Sequence, residues 1–333
     1  MSETPATRPR LSIVVPCFNE EAALPATVAR LLALLDELGQ RGSIAAESSL
    51  YLVDDGSTDG TWACIEAFSR AGDTVHGIKL SRNRGHQNAL LAGLLNAAGD
   101  VVVSIDADLQ DDVQAIERML EAHLSGAQIV LGVRRSRAHD SLFKRVTAEQ
   151  YYRWLKRLGV EIVFNHADYR LMSRRVIEAL REYEEVNLFL RGIVPQLGFR
   201  TAIVEYDRAP RIAGESRYPL RRMLSLAWEG VTSFSAAPLR FITASGVTVS
   251  LVSLGFAGWA LAAKLFSDQA LPGWASTVVP IYFLGGVQLL CLGIIGEYLA
   301  KIYAEVKRRP RYLIETVTPG LEGERKSRRP EER

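Results

Sequence analysis

Two long apolar runs, Ile242–Ala263 and Ala275–Ala300, set the hardest limit on what this chain can fold into. Each is long enough to cross the roughly 30 Å hydrocarbon core of a bilayer as a helix. Two buried helices of a water-soluble domain are the alternative, but nothing amphipathic follows that could cover them. Small residues recur in both: Ser245, Gly246, Ser250, Ser253, Gly255 and Gly258, then Gly285, Gly286, Gly293 and Gly296. They let membrane helices approach closely, and they leave room for a homo-oligomer formed through the membrane. Arg217, Arg221, Arg222 and Arg240 precede the first run, and Lys301, Lys307, Arg308, Arg309 and Arg311 follow the second. The connecting Lys264–Trp274 holds a single Lys. Because Lys and Arg concentrate in cytoplasmic loops, the expectation is a multi-pass protein of the inner (cytoplasmic) membrane. Both termini and the large N-terminal region should face the cytoplasm.

The 333 residues suffice for one large domain plus this appendage. The expected division is a disordered stretch at 1–10, a soluble domain at 11–210, a loop and interfacial helix at 211–241, the two membrane helices, and a basic, solvated tail at 301–333. MSETPATRPR at the start is polar, with no apolar stretch behind it to serve as a secretory signal. A formal net charge of +2 gives no global attraction to nucleic acid. Cys17, Cys64 and Cys291 lack zinc-ligand spacing and read as free thiols of a reducing compartment.

Within the first two hundred residues, short β-branched runs alternate with helical periodicity. Strands are expected at 11–16, 50–53, 77–80 and 101–105, with helices around 20–38, 59–68 and 87–98. Thr58 or Asp59 can cap the second of these helices. Regular alternation of this kind implies an α/β fold: a mostly parallel sheet with helices on both faces. Ligands of such sheets bind beyond the carboxyl ends of the strands. Polar clusters fall at those ends: Asn19-Glu20, Asp54-Asp55 and Asp106/Asp108. Carboxylates at a strand end can hold a hard divalent cation, which stabilises the negative charge of a departing nucleotide diphosphate. A lone D-x-D is weak, but D-A-D-L-Q-D is much rarer. No glycine-rich phosphate loop of the dinucleotide or P-loop type occurs.

Together, IVVPCFNEE (13–21), LVDDGSTDGT (52–61), SRNRGHQNALLAG (81–93) and SIDADLQDD (104–112) resemble, in order and spacing, the markers of family 2 glycosyltransferases with the GT-A fold. ADYRLMSRR (167–175), GESRYPL (214–220) and GEYLAKIYAEVKRRPRYLI (296–314) narrow the resemblance to the polyprenyl-phosphate branch. That branch includes dolichol-phosphate mannose synthase and bacterial polyprenyl-phosphate glucosyltransferases with two C-terminal membrane helices. The resemblance implies a catalytic domain at 11–210 in which Pro16, Asn19, Glu20 and Asp55 line a nucleoside pocket supported by Asp54. It places Asp106 and Asp108 against the diphosphate and a Mg2+ or Mn2+ ion, with Gln110 a further metal ligand. Arg82 and the Gly85–Gln87 turn would lie beside the nucleotide, and Asp168 would approach the sugar. Two positions depart from the branch's pattern: Tyr169 stands in place of Phe, and Asp112-Val113 where a Pro is frequent.

A lipid phosphate needs positive charge near the membrane, and Arg134, Lys144 and Arg145 are the candidates. Tyr151 and Trp154 suit an interfacial helix beside them. Gly214–Tyr218 reads as a loop over the donor, with Arg217 able to pair with phosphate. Gln150–Trp154 also spells Q-x-x-R-W, a signature of processive polysaccharide synthases, but two membrane helices cannot build a translocation channel. The resemblance therefore implies transfer of a hexose, with glucose from UDP-glucose the first choice, from a nucleotide-sugar to polyprenyl (undecaprenyl) phosphate with inversion. A GDP-mannose- or UDP-amino-sugar-dependent transferase, a processive synthase and an inactive membrane scaffold are the competing readings.

Overall fold

The computed structural model describes residues 8–108, 110–135, 166–186, 188–207, 237–266 and 274–322. Its centre is an eight-stranded sheet built from β1 (Leu11–Cys17), β2 (Ser49–Asp54), β3 (Val75–Leu80), β4 (Val101–Ser104), β5 (Ile129–Arg134), β6 (His166–Ser173), β7 (Thr201–Tyr206) and β8 (Ile314–Val317). The spatial order is β7-β5-β6-β4-β1-β2-β3-β8. Four expected strands, β1 to β4, are all present, and β1 pairs in parallel with β2 and β4. β1 and β2 are buried along their whole length, which is why both read as unbroken apolar runs.

Helices α1 (Leu24–Gln40), α2 (Thr61–Ala71), α3 (His86–Asn96), α4 (Ala115–Leu124), α5 (Arg174–Arg181) and α6 (Leu190–Gln196) connect and cover these strands. The helix α3 lies so close to the sheet that a Cβ on Gly93 would stand 2.3 Å from a Val14 methyl and 2.9 Å from a Val53 methyl. A second close approach joins the loop after β2 to the turn after β3. Gly56 has φ of 69°, and a Cβ there would stand 2.5 Å from the Arg82 carbonyl carbon and the Asn83 nitrogen. The capping expectation for α2 is not met: its N-cap is Gly60, which makes no side-chain cap hydrogen bond, while Asp59, one residue earlier, accepts from the Thr61 backbone N–H at 3.1 Å through Oδ1.

The sheet departs from a purely parallel arrangement at β6, which runs antiparallel to both β4 and β5, and at β8, antiparallel to β3. β8 also corrects the expectation of a solvated tail from residue 301 onward. After α8 (Trp274–Val306) the chain returns to the sheet: Ile314, Thr316 and Val317 pair with β3. Thr318 Oγ1 accepts from the Gly77 N–H at 2.9 Å, and Leu321 is buried. Its apolar content is low because an edge strand needs only one covered face, so nothing in composition marked it.

Helices α7 (Ala237–Phe266) and α8 form part of a second compact unit, distinct from the one containing the sheet. The two apolar runs fall within these two helices, one in each. Among the described residues, Phe283–Val306 is long and apolar enough to cross a membrane, with mean hydropathy 1.6 and large apolar side chains such as Leu289, Leu290 and Leu299 exposed.

Candidate active site

Register explains how residues far apart in sequence reach one edge of the sheet. Cys17 is opposite Asp54 and Val14 is opposite Ser104, so the loops after β1, β2 and β4 leave the sheet side by side. β6 runs the other way, with Arg170 opposite Ser104. Asp168, two residues earlier, therefore lies beside Asp106, two residues past the end of β4. These loops enclose a cleft of about 270 Å³ lined by Pro16, Phe18, Glu20, Asp55, Asp106 and Asp108, with Asn83, Gly85 and His86 on its rim.

The β1 and β2 loops are clasped together. Asn19 takes a left-handed backbone, φ 56°, a region that Asn tolerates. Its Oδ1 accepts from the Thr58 N–H at 2.8 Å, while the Ser57 hydroxyl accepts from the Asn19 N–H at 3.0 Å. Asp54 is fully buried beneath and accepts from the Ser57 N–H at 3.0 Å. Asp55 accepts from the backbone N–H groups of Arg84 at 2.7 Å and Gly85 at 2.9 Å. Burial raises the Asp55 carboxyl above its usual range against these two donors. Asn19 is thus a clasp beside the cleft rather than part of its lining, and Arg82 is exposed on the turn after β3, outside the lining.

At the other end, Asp106 and Asp108 enter the cleft. Burial raises the Asp106 carboxyl, His86 opposes the rise, and the neighbouring charges of Asp111, Asp168 and Asp108 add to it. Such crowding of carboxylates is relieved by a cation. Among the described residues no group of three or more His, Cys, Asp or Glu side chains could hold a metal. Asp106 and Asp108 are the cleft carboxylates whose oxygens could contribute to holding a divalent cation. Gln110 is buried outside the cleft lining, and its Oε1 has no hydrogen-bond partner among the described residues, leaving an acceptor of the right chemistry two residues from Asp108.

Asp168 is buried and gripped from several sides. Gln87 Nε2 donates to Oδ2 at 3.0 Å, Arg191 donates from Nη2 to Oδ2 at 3.0 Å and from Nε to Oδ1 at 3.3 Å, and Arg170 Nη2 binds Oδ1. His86 Nε2 stands 3.5 Å from both Asp168 Oδ2 and Asp106 Oδ1. Burial alone would raise the Asp168 carboxyl, but the hydrogen bond from His86 and the charges of Arg170 and Arg191 carry it well below the usual carboxylate range.

A separate cluster holds Arg134 at the end of β5. Its Nη2 lies 3.2 Å from Asp111 Oδ1 and its Nε donates to the Tyr206 hydroxyl at 3.1 Å, which in turn donates to Asp111 at 2.6 Å. The two departures from the family pattern meet here: the Tyr169 hydroxyl donates to the Asp112 carbonyl at 2.9 Å, and the Asp112 carboxylate accepts from the Gln114 N–H at 3.1 Å. The extra hydroxyl of Tyr169 thus ties down the loop that carries Asp112. Lys144, Arg145, Tyr151, Trp154 and Arg217 lie outside the described residues. Sequence reading missed Arg170 and Arg191. Arg170 carried a signal, a charge two residues from Asp168 on the same strand face; Arg191 carried none.

The strand ends of this α/β sheet thus gather carboxylates around one cleft. Residues 12–181 match the family described as glycosyl transferase family 2, and the chain belongs to that family; it is a glycosyltransferase. It is 50% identical over 311 residues to the uncharacterised glycosyltransferase YkoT of Bacillus subtilis (strain 168), covering 93% of this chain and 92% of that one. It is 40% identical over 306 residues to the bactoprenol glucosyl transferase of Shigella phage SfII, covering 92% and 97%. Among solved structures, a likeness is found to glucosyl-3-phosphoglycerate synthase from Mycobacterium tuberculosis in complex with Mn2+, UDP and phosphoglyceric acid. There the TM-score is 0.44 and the identity 20%, over 67% of this chain and 76% of that one.

Proposed function

We propose that this enzyme transfers one glucosyl residue from UDP-glucose to a polyprenyl phosphate, with inversion, at the cytoplasmic face of the membrane. The observation that carries the reading is the cleft itself, which brings Asp55, Asn83 and Gly85 together with His86, Asp106 and Asp108. Asp55 and its neighbouring turn would receive a nucleoside, and the Asp106 and Asp108 carboxylates a diphosphate with its cation. Relatives named as bactoprenol glucosyl transferases, similar over nearly the whole chain, support the lipid acceptor and the sugar. Asp106 and Asp108, with Gln110 close by, would hold a divalent cation, Mg2+ or Mn2+, whose charge stabilises the leaving diphosphate.

Pro16, Glu20 and Asp55 would receive the nucleoside, with Asp54 and Asn19 fixing the loops that carry them. Arg82 would lie beside the nucleotide, and Arg217 would pair with a donor phosphate. Arg134, Lys144 and Arg145 would contribute positive charge toward the acceptor. The attacking group, a phosphate monoester with second pKa near 6, is anionic at neutral pH. Displacement at the anomeric carbon therefore needs no proton removed from the nucleophile. A direct test uses purified protein in detergent with labelled UDP-glucose. Label should enter the organic-extractable fraction only when polyprenyl phosphate is supplied. Incorporation with unphosphorylated polyprenol, or with no lipid, would overturn the acceptor assignment.

The membrane arrangement we propose is a two-helix hairpin formed by α7 and α8, with both termini cytoplasmic. β8 supports it: β3 and β8 are hydrogen-bonded in one sheet, so the chain leaves and returns on the same side and must cross an even number of times. α7, with 30 residues, and α8, with 33, each reach the required length. A reporter fused after Arg333 is expected to behave as cytoplasmic, and one inserted at Asp268 as external. The reverse pattern, or both reporters on one side, would contradict the hairpin.

A further inference from the structure

We propose that Arg191 is a ligand of the acceptor phosphate, and that Asp168 is the positioning residue that aims it rather than a general base. The inference rests on the polyprenyl-phosphate reading above and assigns the acceptor end of that site.

The geometry around Asp168 leaves it little else to do. A carboxylate offers about four acceptor positions. Arg170 Nη2, Arg191 Nε, Arg191 Nη2 and Gln87 Nε2 take them, with His86 3.5 Å away as well. Removing a proton from a substrate requires a free lone pair facing it, and here every oxygen is already turned toward cations or an amide. The donors are themselves fixed. Gln87 Oε1 accepts from the Leu190 N–H at 3.1 Å and Arg170 Nη1 donates to the Leu190 carbonyl at 3.2 Å, so the residue next to Arg191 is anchored on both its polar groups.

Arg191 differs from Arg170 in exposure. Arg170 is fully buried, whereas the Arg191 side chain is 43% exposed. Its Nε–Nη2 edge is spent on Asp168, and Nη1 has no hydrogen-bond partner among the described residues. The guanidinium interacts electrostatically with both Asp106 and Arg134. Arg191 and Arg134, each backed by a buried carboxylate (Asp168 for one, Asp111 for the other), are two cations suited to a doubly charged oxygen anion. The nucleoside end of the cleft is formed by Asp55 and the turn that leads into His86, and His86 in turn touches Asp106 and Asp168. Arg191, bonded to Asp168, is not among the residues that line the cleft beside Asp55 and Gly85, and we place it past the metal-type carboxylates, away from the nucleoside. Inversion needs the nucleophile on the side of the anomeric carbon opposite the leaving diphosphate, and this is the end where such a group would arrive. The acceptor phosphate rather than the donor diphosphate is the anion that fits.

The test compares wild type, Arg191→Gln and Arg191→Lys as full chains in detergent, with undecaprenyl phosphate and UDP-glucose as substrates. Thermal melts confirm that each variant is folded. Arg191→Gln is expected to raise the acceptor KM by about 10-fold or more, the loss of a charge-assisted contact to phosphate. The donor KM and calorimetric UDP binding should stay within about 2-fold, since this side chain does not line the nucleoside end. Arg191→Lys should recover part of the loss, keeping charge but not the fork that grips Asp168. Asp168→Asn should raise the acceptor KM as well, where loss of a base would lower kcat at unchanged acceptor KM. A raised donor KM or weakened UDP binding with an unchanged acceptor KM would overturn the assignment, as would variants kinetically identical to wild type. A wild type that consumes UDP-glucose but glucosylates no polyprenyl phosphate would instead remove the functional reading itself.

Discussion

Asp108→Ala is expected to abolish measurable transfer while the protein stays folded. The carboxylate enters the cleft and accepts from the Gln110 N–H at 3.2 Å. Losing that bond costs about 0.5–1.5 kcal/mol of stability. Losing a main electrostatic contribution at a developing negative charge typically costs about a hundred-fold or more in rate. The two effects differ enough to be separated: kcat should fall by two decades or more while the melting temperature moves by only a few degrees. Excess chelator should reproduce the loss in the wild type. Full turnover in the variant, or in chelator, would contradict the metal role of Asp106 and Asp108.

Arg170→Ala should destabilise the catalytic domain by about 3–5 kcal/mol, the usual cost of breaking a buried ion pair by removing one partner. Arg170 is fully buried, pairs with Asp168, and bonds the Leu190 carbonyl at 3.2 Å. Truncation leaves a cavity and withdraws one of the cations that keep Asp168 ionised. It also removes one of the two hydrogen bonds that anchor Leu190, the residue before Arg191. Chemical denaturation of the full chain in detergent, followed by tryptophan fluorescence, measures the change. A loss below about 1 kcal/mol would mean that the buried pair contributes no more than an exposed one.

The legible parts of this molecule are those where local chemistry and tertiary position coincide. β1, β2 and β4 are buried on both faces, so Leu11–Cys17, Ser49–Asp54 and Val101–Ser104 announce themselves as apolar runs, and the acidic residues just past them mark the ligand edge. The position of Asp168 depended on an antiparallel register between β4 and β6 that no local pattern encodes; only the likeness of ADYRLM to a known stretch pointed to it. Arg191 owes its place to the hydrogen bonds that join Leu190 to Gln87 and Arg170, residues 103 and 20 positions away in sequence. β8 was illegible for a different reason. IETV is short, half-exposed and placed after an apolar helix, so charge and polarity there read as solvated chain, while its pairing with β3 is decided by the free edge of a sheet assembled more than two hundred residues earlier. The departures at Tyr169 and Asp112 looked independent in sequence and are one contact in three dimensions.

The most direct test of the proposed reaction is the mass of the lipid product formed by the purified enzyme from undecaprenyl phosphate. UDP-glucose, GDP-mannose and UDP-N-acetylglucosamine are each offered separately. A single adduct of undecaprenyl phosphate plus one hexose, present with UDP-glucose alone and absent with the other two donors alone, is expected. A product carrying several sugars, an N-acetylhexosamine adduct, or an unchanged lipid with every donor would contradict it.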